Sequence, residues 1–308
     1  MKTKFILIFT FFLVCTNSLT AQEAAIEDNR KSNIIEYTPS KLLFKNQWDI
    51  KWFNNLYTQT RAADENGDVT KNLPRQTFFT STLEVFTGVS DTRRVNIGTI
   101  VRFRSNAVGG RNTFDVFQFD GDSNTARSGI TAIAPSVKIA PFKKLSNLSV
   151  QSSLFIPLID REVENGVFFE QKGFVWQNRF FYDYTFPGNK FQLFTELTTD
   201  FNFGNKVRFD DSFLNTEEGS FANNSLVLFP GVFFSYFPSD KFTVLSLVQH
   251  FQRFDLGNNF EQDFTAVGGG LKYQLTEVLN VEALYTNFVR GTNNGLGETF
   301  NIGLRAIF

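Results

Sequence analysis

From Trp48 to the C-terminus, segments of roughly 10 to 15 residues alternate apolar and polar positions and are separated by clusters of turn-forming residues. In 191–204 the apolar positions are Phe191, Leu193, Leu197, Phe201 and Phe203, interleaved with Gln192, Glu196, Thr198, Asp200 and Asn202. In 93–106 they are Val95, Ile97, Val101 and Phe103, opposite Arg94, Asn96, Arg102 and Arg104. In 173–186 Phe174, Trp176, Phe180, Tyr182, Tyr184 and Phe186 face away from Gln177, Arg179, Asp183 and Thr185. Successive side chains of a strand point to opposite faces, so each segment makes one apolar wall and one polar wall.

The same reading predicts strands near 48–60, 75–89, 92–106, 129–142, 147–158, 172–186, 190–204, 224–237, 241–254, 263–275, 279–290 and 297–308. The links between them alternate in length. Ser90-Asp91, Lys143 to Ser146, Pro187-Gly188-Asn189, Pro238 to Asp240 and Thr276 to Val278 are tight, whereas 61–74, 107–128, 159–171, 205–223, 255–262 and 291–296 are mostly longer and polar. A soluble sandwich also alternates, but here the apolar faces are about ten residues long and carry aromatic residues at both ends, as a tilted strand crossing a bilayer requires. Phe174 and Trp176 at one end, with Tyr182, Tyr184 and Phe186 at the other, suit two interfacial girdles. The expected fold is all-β: a transmembrane antiparallel β-barrel of about 12 strands over 48–308, with short turns and both termini on the periplasmic side.

Composition supports this reading. Of 308 residues 40 are Phe, while Met, Cys and His occur once each. Aromatic content is 16% and apolar content 42%, with no internal stretch near the roughly 18 uncharged residues a spanning helix requires. Lys2, Lys4, the apolar run 5–14 and Ser18-Leu19-Thr20-Ala21 read as a signal peptide over 1–21, cleaved before Gln22. Cys15 lies within it, and Phe12-Leu13-Val14 lacks the small residue that precedes a lipidated cysteine. Removing Lys2 and Lys4 from the 30 basic residues leaves 28 against 31 acidic ones, a net charge of −3 that gives no footprint for nucleic acid. Residues 22–47 read as a periplasmic segment loosely packed at the barrel mouth, with a lumenal plug as the alternative.

The final strand, with Phe300, Ile302, Leu304, Ala306 and Phe308 alternating with Asn301, Gly303 and Arg305, resembles those of Gram-negative outer-membrane β-barrels. The resemblance implies outer-membrane lipid as surroundings and recognition of the terminal aromatic residue by the barrel-assembly machinery. The Ala21-Gln22 junction and the Phe- and Asn-rich strands also resemble porin-like barrels of Bacteroidota. Outer-membrane phospholipases of twelve strands are similar in outline and use a Ser and a His at the barrel wall, but no serine motif accompanies His250.

Candidate chemistry is sparse. A lone histidine and no cysteine in the mature chain give no metal cluster and no catalytic constellation, and no cofactor is expected. Asp120, Asp122 and Asn124 begin like a calcium loop, but Thr125 and Thr131 stand where that loop needs Gly and Glu, so they read as a solvated acidic loop. Asp210, Asp211, Glu217 and Glu218 read the same way, and Gly268-Gly269-Gly270 as an accommodation of barrel curvature. The informative surface is the inward face. Alternation assigns to it Asp49, Lys51, Glu84, Arg94, Arg102, Arg104, Lys138, Arg179, Asp183, Glu196, Asp200, Lys272, Glu282, Arg290 and Arg305. The expected function is a passive, porin-like channel for small hydrophilic solutes, with Arg94, Arg102 and Arg104 as a basic ladder. The alternatives are an interior closed by pairing among Arg179, Asp183, Glu196 and Asp200, and a non-enzymatic barrel that binds a surface or secretion complex.

Overall fold

The computed structural model describes residues 37–204, 222–257 and 260–308. The leader, residues 22–36 and the acidic loop positions Asp210, Asp211, Glu217 and Glu218 lie outside the described residues. The barrel strands are β1 (Trp48–Gln59), β2 (Gln76–Gly88), β3 (Val95–Ala107), β4 (Ala126–Ile139), β5 (Leu148–Pro157) and β6 (Val175–Thr185). They continue as β7 (Phe191–Asn202), β8 (Ser225–Ser239), β9 (Phe242–Asp255), β10 (Gln262–Gln274), β11 (Leu279–Thr292) and β12 (Glu298–Ile307). No boundary departs from the sequence-based expectation by more than three residues. The twelve strands form one closed antiparallel barrel in sequence order. It shuts where β1 pairs with β12, Asp49 opposite Ile307 and Lys51 opposite Arg305. Closure leaves no strand edge, which is what permits a sheet to stand in hydrocarbon.

Alternation decides the faces. Outward positions carry exposed apolar side chains such as Trp52, Ile97, Leu197, Val248 and Ile302. The expected girdle residues Phe174, Trp176, Tyr182, Tyr184 and Phe186 are all exposed on this wall. One dry cluster lies inside, where Phe86, Ile100, Ala132, Ala134 and Phe155 pack around Leu43 from the segment before β1.

Two bulges within the ladder shift the alternation, and a third irregularity lies beside the β8–β9 turn, between Tyr236 and Ser239. Arg102 pairs with Ala132 and Phe103 with Ile130, so Thr131 is extra in β4. Thr265 pairs with Arg290 and Ala266 with Phe288, so Val289 is extra in β11. A bulge puts two residues opposite one, and positions beyond it change face. The β3–β4 loop contains a short 3₁₀ turn, Thr113–Gln118, folded against the outer wall. Its Val116 is buried with Leu56, Phe79 and Ala107, and Ser105 Oγ donates to the Val116 carbonyl at 2.6 Å.

The assignment of faces has a direct test. Leu197→Arg, at mid-strand on the outer wall, is expected to lower stability by about 2 to 4 kcal/mol. Its lumenal neighbour changed as Thr198→Ser should shift stability by less than about 1 kcal/mol. Urea unfolding in lipid vesicles reads both.

Candidate functional site in the barrel lumen

At mid-height the lumen is crossed by ion pairs that the strand registers set up. Lys272 lies opposite Glu282 across β10 and β11, and Lys51 of β1 reaches the same carboxylate, the two distances being 3.1 and 3.4 Å. Arg179 of β6 pairs with Glu196 on the adjacent β7 at 2.8 Å and with Glu84 on β2 at 3.6 Å. Strands β2 and β6 are separated by three others, so the Arg179 guanidinium spans the interior as a strut. Arg305 holds Asp49 through two nitrogens, at 2.9 and 2.7 Å. Lys51, Glu84, Arg179, Glu196, Lys272 and Glu282 border a cavity of about 590 Å³.

The short-turn mouth is occupied by residues 37–45, and nearly every polar group there has a partner on the wall. Ser40 is fully buried and its hydroxyl donates to Asp183; Lys41 pairs with the same carboxylate at 3.1 Å. Lys138 donates to the carbonyls of Pro39 and Lys41. Arg305 donates to the Tyr37 carbonyl, and the Tyr37 hydroxyl donates to the Glu277 carbonyl at 3.2 Å. The Leu43 amide donates to Asn96 at 3.2 Å, and Arg93 donates to the Leu42 carbonyl at 2.9 Å while stacking on Phe44. Residues 37–45 therefore touch strands on opposite sides of the barrel and are tightly packed, while 22–36 of the expected N-terminal segment lie outside the described residues. Gly88 is the close-approach point: a Cβ there would collide with the Phe44 carbonyl.

At the long-loop end the β5–β6 connection turns inward. Glu170 sits between Arg102 and Arg104, 3.0 Å from each, and also accepts from Thr131 of the β4 bulge at 3.4 Å. Asn106 donates to the Phe168 and Phe169 carbonyls. Arg127 donates to the Arg161 and Glu162 carbonyls and lies over the Phe169 ring. Burial works to raise the Glu170 carboxyl, but the Arg104 and Arg102 charges and the hydrogen bonds from Arg102 and Gln171 outweigh it and hold the group below the usual carboxylate range.

Of the residues assigned inward from sequence, Arg102, Arg179, Glu196, Asp200, Lys272 and Glu282 line the cavity. Arg104 faces the inturned loop, and Lys138, Asp183 and Arg305 face the 37–45 segment. Two assignments are corrected. Arg94 stays at the rim, where its guanidinium caps the Ala140 and Pro141 carbonyls, because its strand has not yet entered the ladder. Arg290 lies on the outer wall: the extra Val289 turns it to the side of Thr265, and it pairs there with Asp263 at 2.9 Å while 56% exposed. The basic ladder of Arg94, Arg102 and Arg104 is thus not a free row of charges. His250 also faces outward, 3.0 Å from the Thr265 hydroxyl. In the β3–β4 loop Asp120 and Asp122 are each held by an arginine, Arg111 and Arg127.

Pattern reading missed the rings inside. Tyr57, Phe229, Phe264 and Phe288 line the cavity, and β2 and β9 add Phe78 and Phe251 on the same face. The only available signal was that β8 and β9 carry apolar residues on both faces.

No family model matches the chain, and no curated protein matches it. Among solved structures it is similar to an outer membrane channel from Pseudomonas putida F1, with 10% identity, TM-score 0.67, and coverage of 92% of this chain and 100% of that one. It is also similar to the beta domain of the Bordetella autotransporter Brka, with 12% identity, TM-score 0.51, and coverage of 86% and 100%. The chain has the fold of a porin-like outer-membrane β-barrel.

The inturned loop is expected to respond to acid. A carboxyl held below its usual value keeps the loop pinned at neutral pH, and the pinning is lost only as pH falls through that lowered value, beneath the usual carboxylate range. A rise in conductance on acidification, absent in Glu170→Gln, would be the readout in planar bilayers. Separately, Arg179→Ala leaves Glu84 and Glu196 without their shared cation and should cost about 3 kcal/mol in urea unfolding.

Proposed function

We propose that this barrel is a passive channel for small solutes, closed at its short-turn mouth by residues 37–45. The observation that carries the reading is the mid-lumen: paired side chains surround a cavity of about 590 Å³ instead of filling it with a dry core. Each strut combines positive and negative groups, Lys51 and Lys272 with Glu282 and Arg179 with Glu84 and Glu196. This near balance supports weak selectivity between cations and anions, and it replaces the anion preference that a free basic ladder would have given. Resistance to flow is then set at the two ends, by the 37–45 segment and by the loop that carries Glu170.

The test is single-channel recording on refolded protein. The full chain is expected to give small steps, and removal of residues 22–45 steps several times larger. Gly88→Ala, which displaces the Phe44 backbone from its seat, should resemble the deletion. Absence of stepwise current from all three proteins would refute the channel.

A further inference from the structure

The outer half of the lumen contains a feature that the channel reading does not use. Six rings on neighbouring strands form a continuous arc on the inner wall. Phe229 of β8 meets Phe251 of β9 at 5.9 Å, and Phe251 stacks on Phe264 of β10 at 5.0 Å and 6°. Phe264 stacks on Phe288 of β11 at 4.1 Å and 9°. Phe288 meets Tyr57 of β1 at 5.1 Å, and Tyr57 stacks against Phe78 of β2 at 6.1 Å. Strand β12 lies between β11 and β1 in the sheet, and at its start Gly297 carries no side chain, where a Cβ would strike the Tyr57 ring at 2.8 Å. All six rings are only partly buried. Apolar surface of this extent facing an aqueous lumen is unfavourable unless a solute covers it.

A second observation lies where the arc ends. Phe229 is paired with Thr198 of β7, and the next inward residue on that strand is Asp200. Asp200 Oδ1 is buried with no hydrogen-bond partner, and Asp200, Thr198 and the facing Gln177 line the same cavity as the rings. Gln177 hydrogen-bonds the same carboxylate and the Arg102, Arg179 and Arg253 charges face it, so Oδ1 alone is the buried acceptor without a donor, which is costly and marks a place for one.

Resting on the channel reading for its route of access, we infer that the outer half of the lumen is a binding site for a planar aromatic solute bearing a hydroxyl or amino donor. The ring of the solute stacks on the arc around Phe229 and Phe264, and its donor reaches the Asp200 carboxylate. Stacking supplies the preference for a planar ring, and Asp200 fixes which end of the solute faces β7.

The probes are catechol and cyclohexane-1,2-diol, which share the two hydroxyl donors and differ in the ring. Binding to the full chain in detergent is measured by calorimetry, with heat-modifiable migration on gels confirming that each variant is a closed barrel. Catechol is expected to bind about tenfold more tightly than the diol. Phe264→Leu with Phe288→Leu, which keeps the wall apolar, should erase that ratio, whereas Asp200→Asn should weaken both probes and leave the ratio unchanged. Equal binding of the two probes to the unaltered chain, or a ratio unaffected by the double variant, overturns the site. If catechol is preferred while bilayers show no current, the site stands and the channel reading falls. If current flows and the probes bind alike, the reverse holds.

Discussion

In hydrocarbon a backbone amide or carbonyl without a partner costs several kcal/mol, so a sheet is admitted only if it closes on itself. The pairing of β1 with β12 is that closure. It fixes much else in the molecule. Once the ladder is shut, each strand has one face in lipid and one in the lumen, and with few exceptions the charged side chains of the wall must turn inward together. They meet there at short range and in reduced contact with water, where an unpaired charge is expensive. Lys51, Lys272 and Glu282, or Arg179 with Glu84 and Glu196, are the outcome: side chains from separate strands sharing partners across the enclosed space.

A barrel of twelve strands is wider than its own wall side chains can fill. Two segments from outside the wall enter the ends, and both are held by the same chemistry. Long cationic side chains of the wall take up carbonyls and carboxylates that the entering chain cannot satisfy by itself: Lys138, Arg305 and Arg93 for residues 37–45, and Arg102, Arg104 and Arg127 for the β5–β6 loop. Much of the inward positive charge at the two ends is therefore spent on backbone and loop groups. An arginine read from sequence as pore lining is, in these positions, a clamp.

The strands were legible because alternation and turn residues are local properties, and β6 and β7 show both without interruption. Arg290 was misplaced because a single inserted residue, Val289, inverts the parity that the pattern assumes, and a bulge has no reliable local signature. Glu170 could not be found at all. It lies in a loop, and its meaning comes from Arg102 and Arg104, more than sixty residues earlier in the chain. The rings were obscured differently: β8 has Val227, Phe229 and Phe233 on one face and Leu226, Leu228, Val232 and Phe234 on the other, so hydrophobicity does not distinguish lumen from lipid. Only the register with β7 and β9 separates the two sets.

That separation gives the lumen a direction. Past the β5–β6 loop, a solute arriving from the long-loop end meets Tyr57 and Phe288 before the strut of Lys51, Lys272 and Glu282, since Tyr57 and Phe288 lie near the long-loop ends of β1 and β11 whereas Lys51 and Glu282 lie toward the short-turn ends. Stacking on a ring demands little dehydration of the polar edge of a solute, while passage between Lys51, Lys272 and Glu282 demands exchange of that hydration for protein partners. Apolar contact first and polar exchange second lets each contact form while the previous one persists. The reverse order would strip the solute of water at the struts with nothing yet holding it. A lumen with these rings ahead of the Glu282 strut is thus better arranged for capture than one lined throughout by charge.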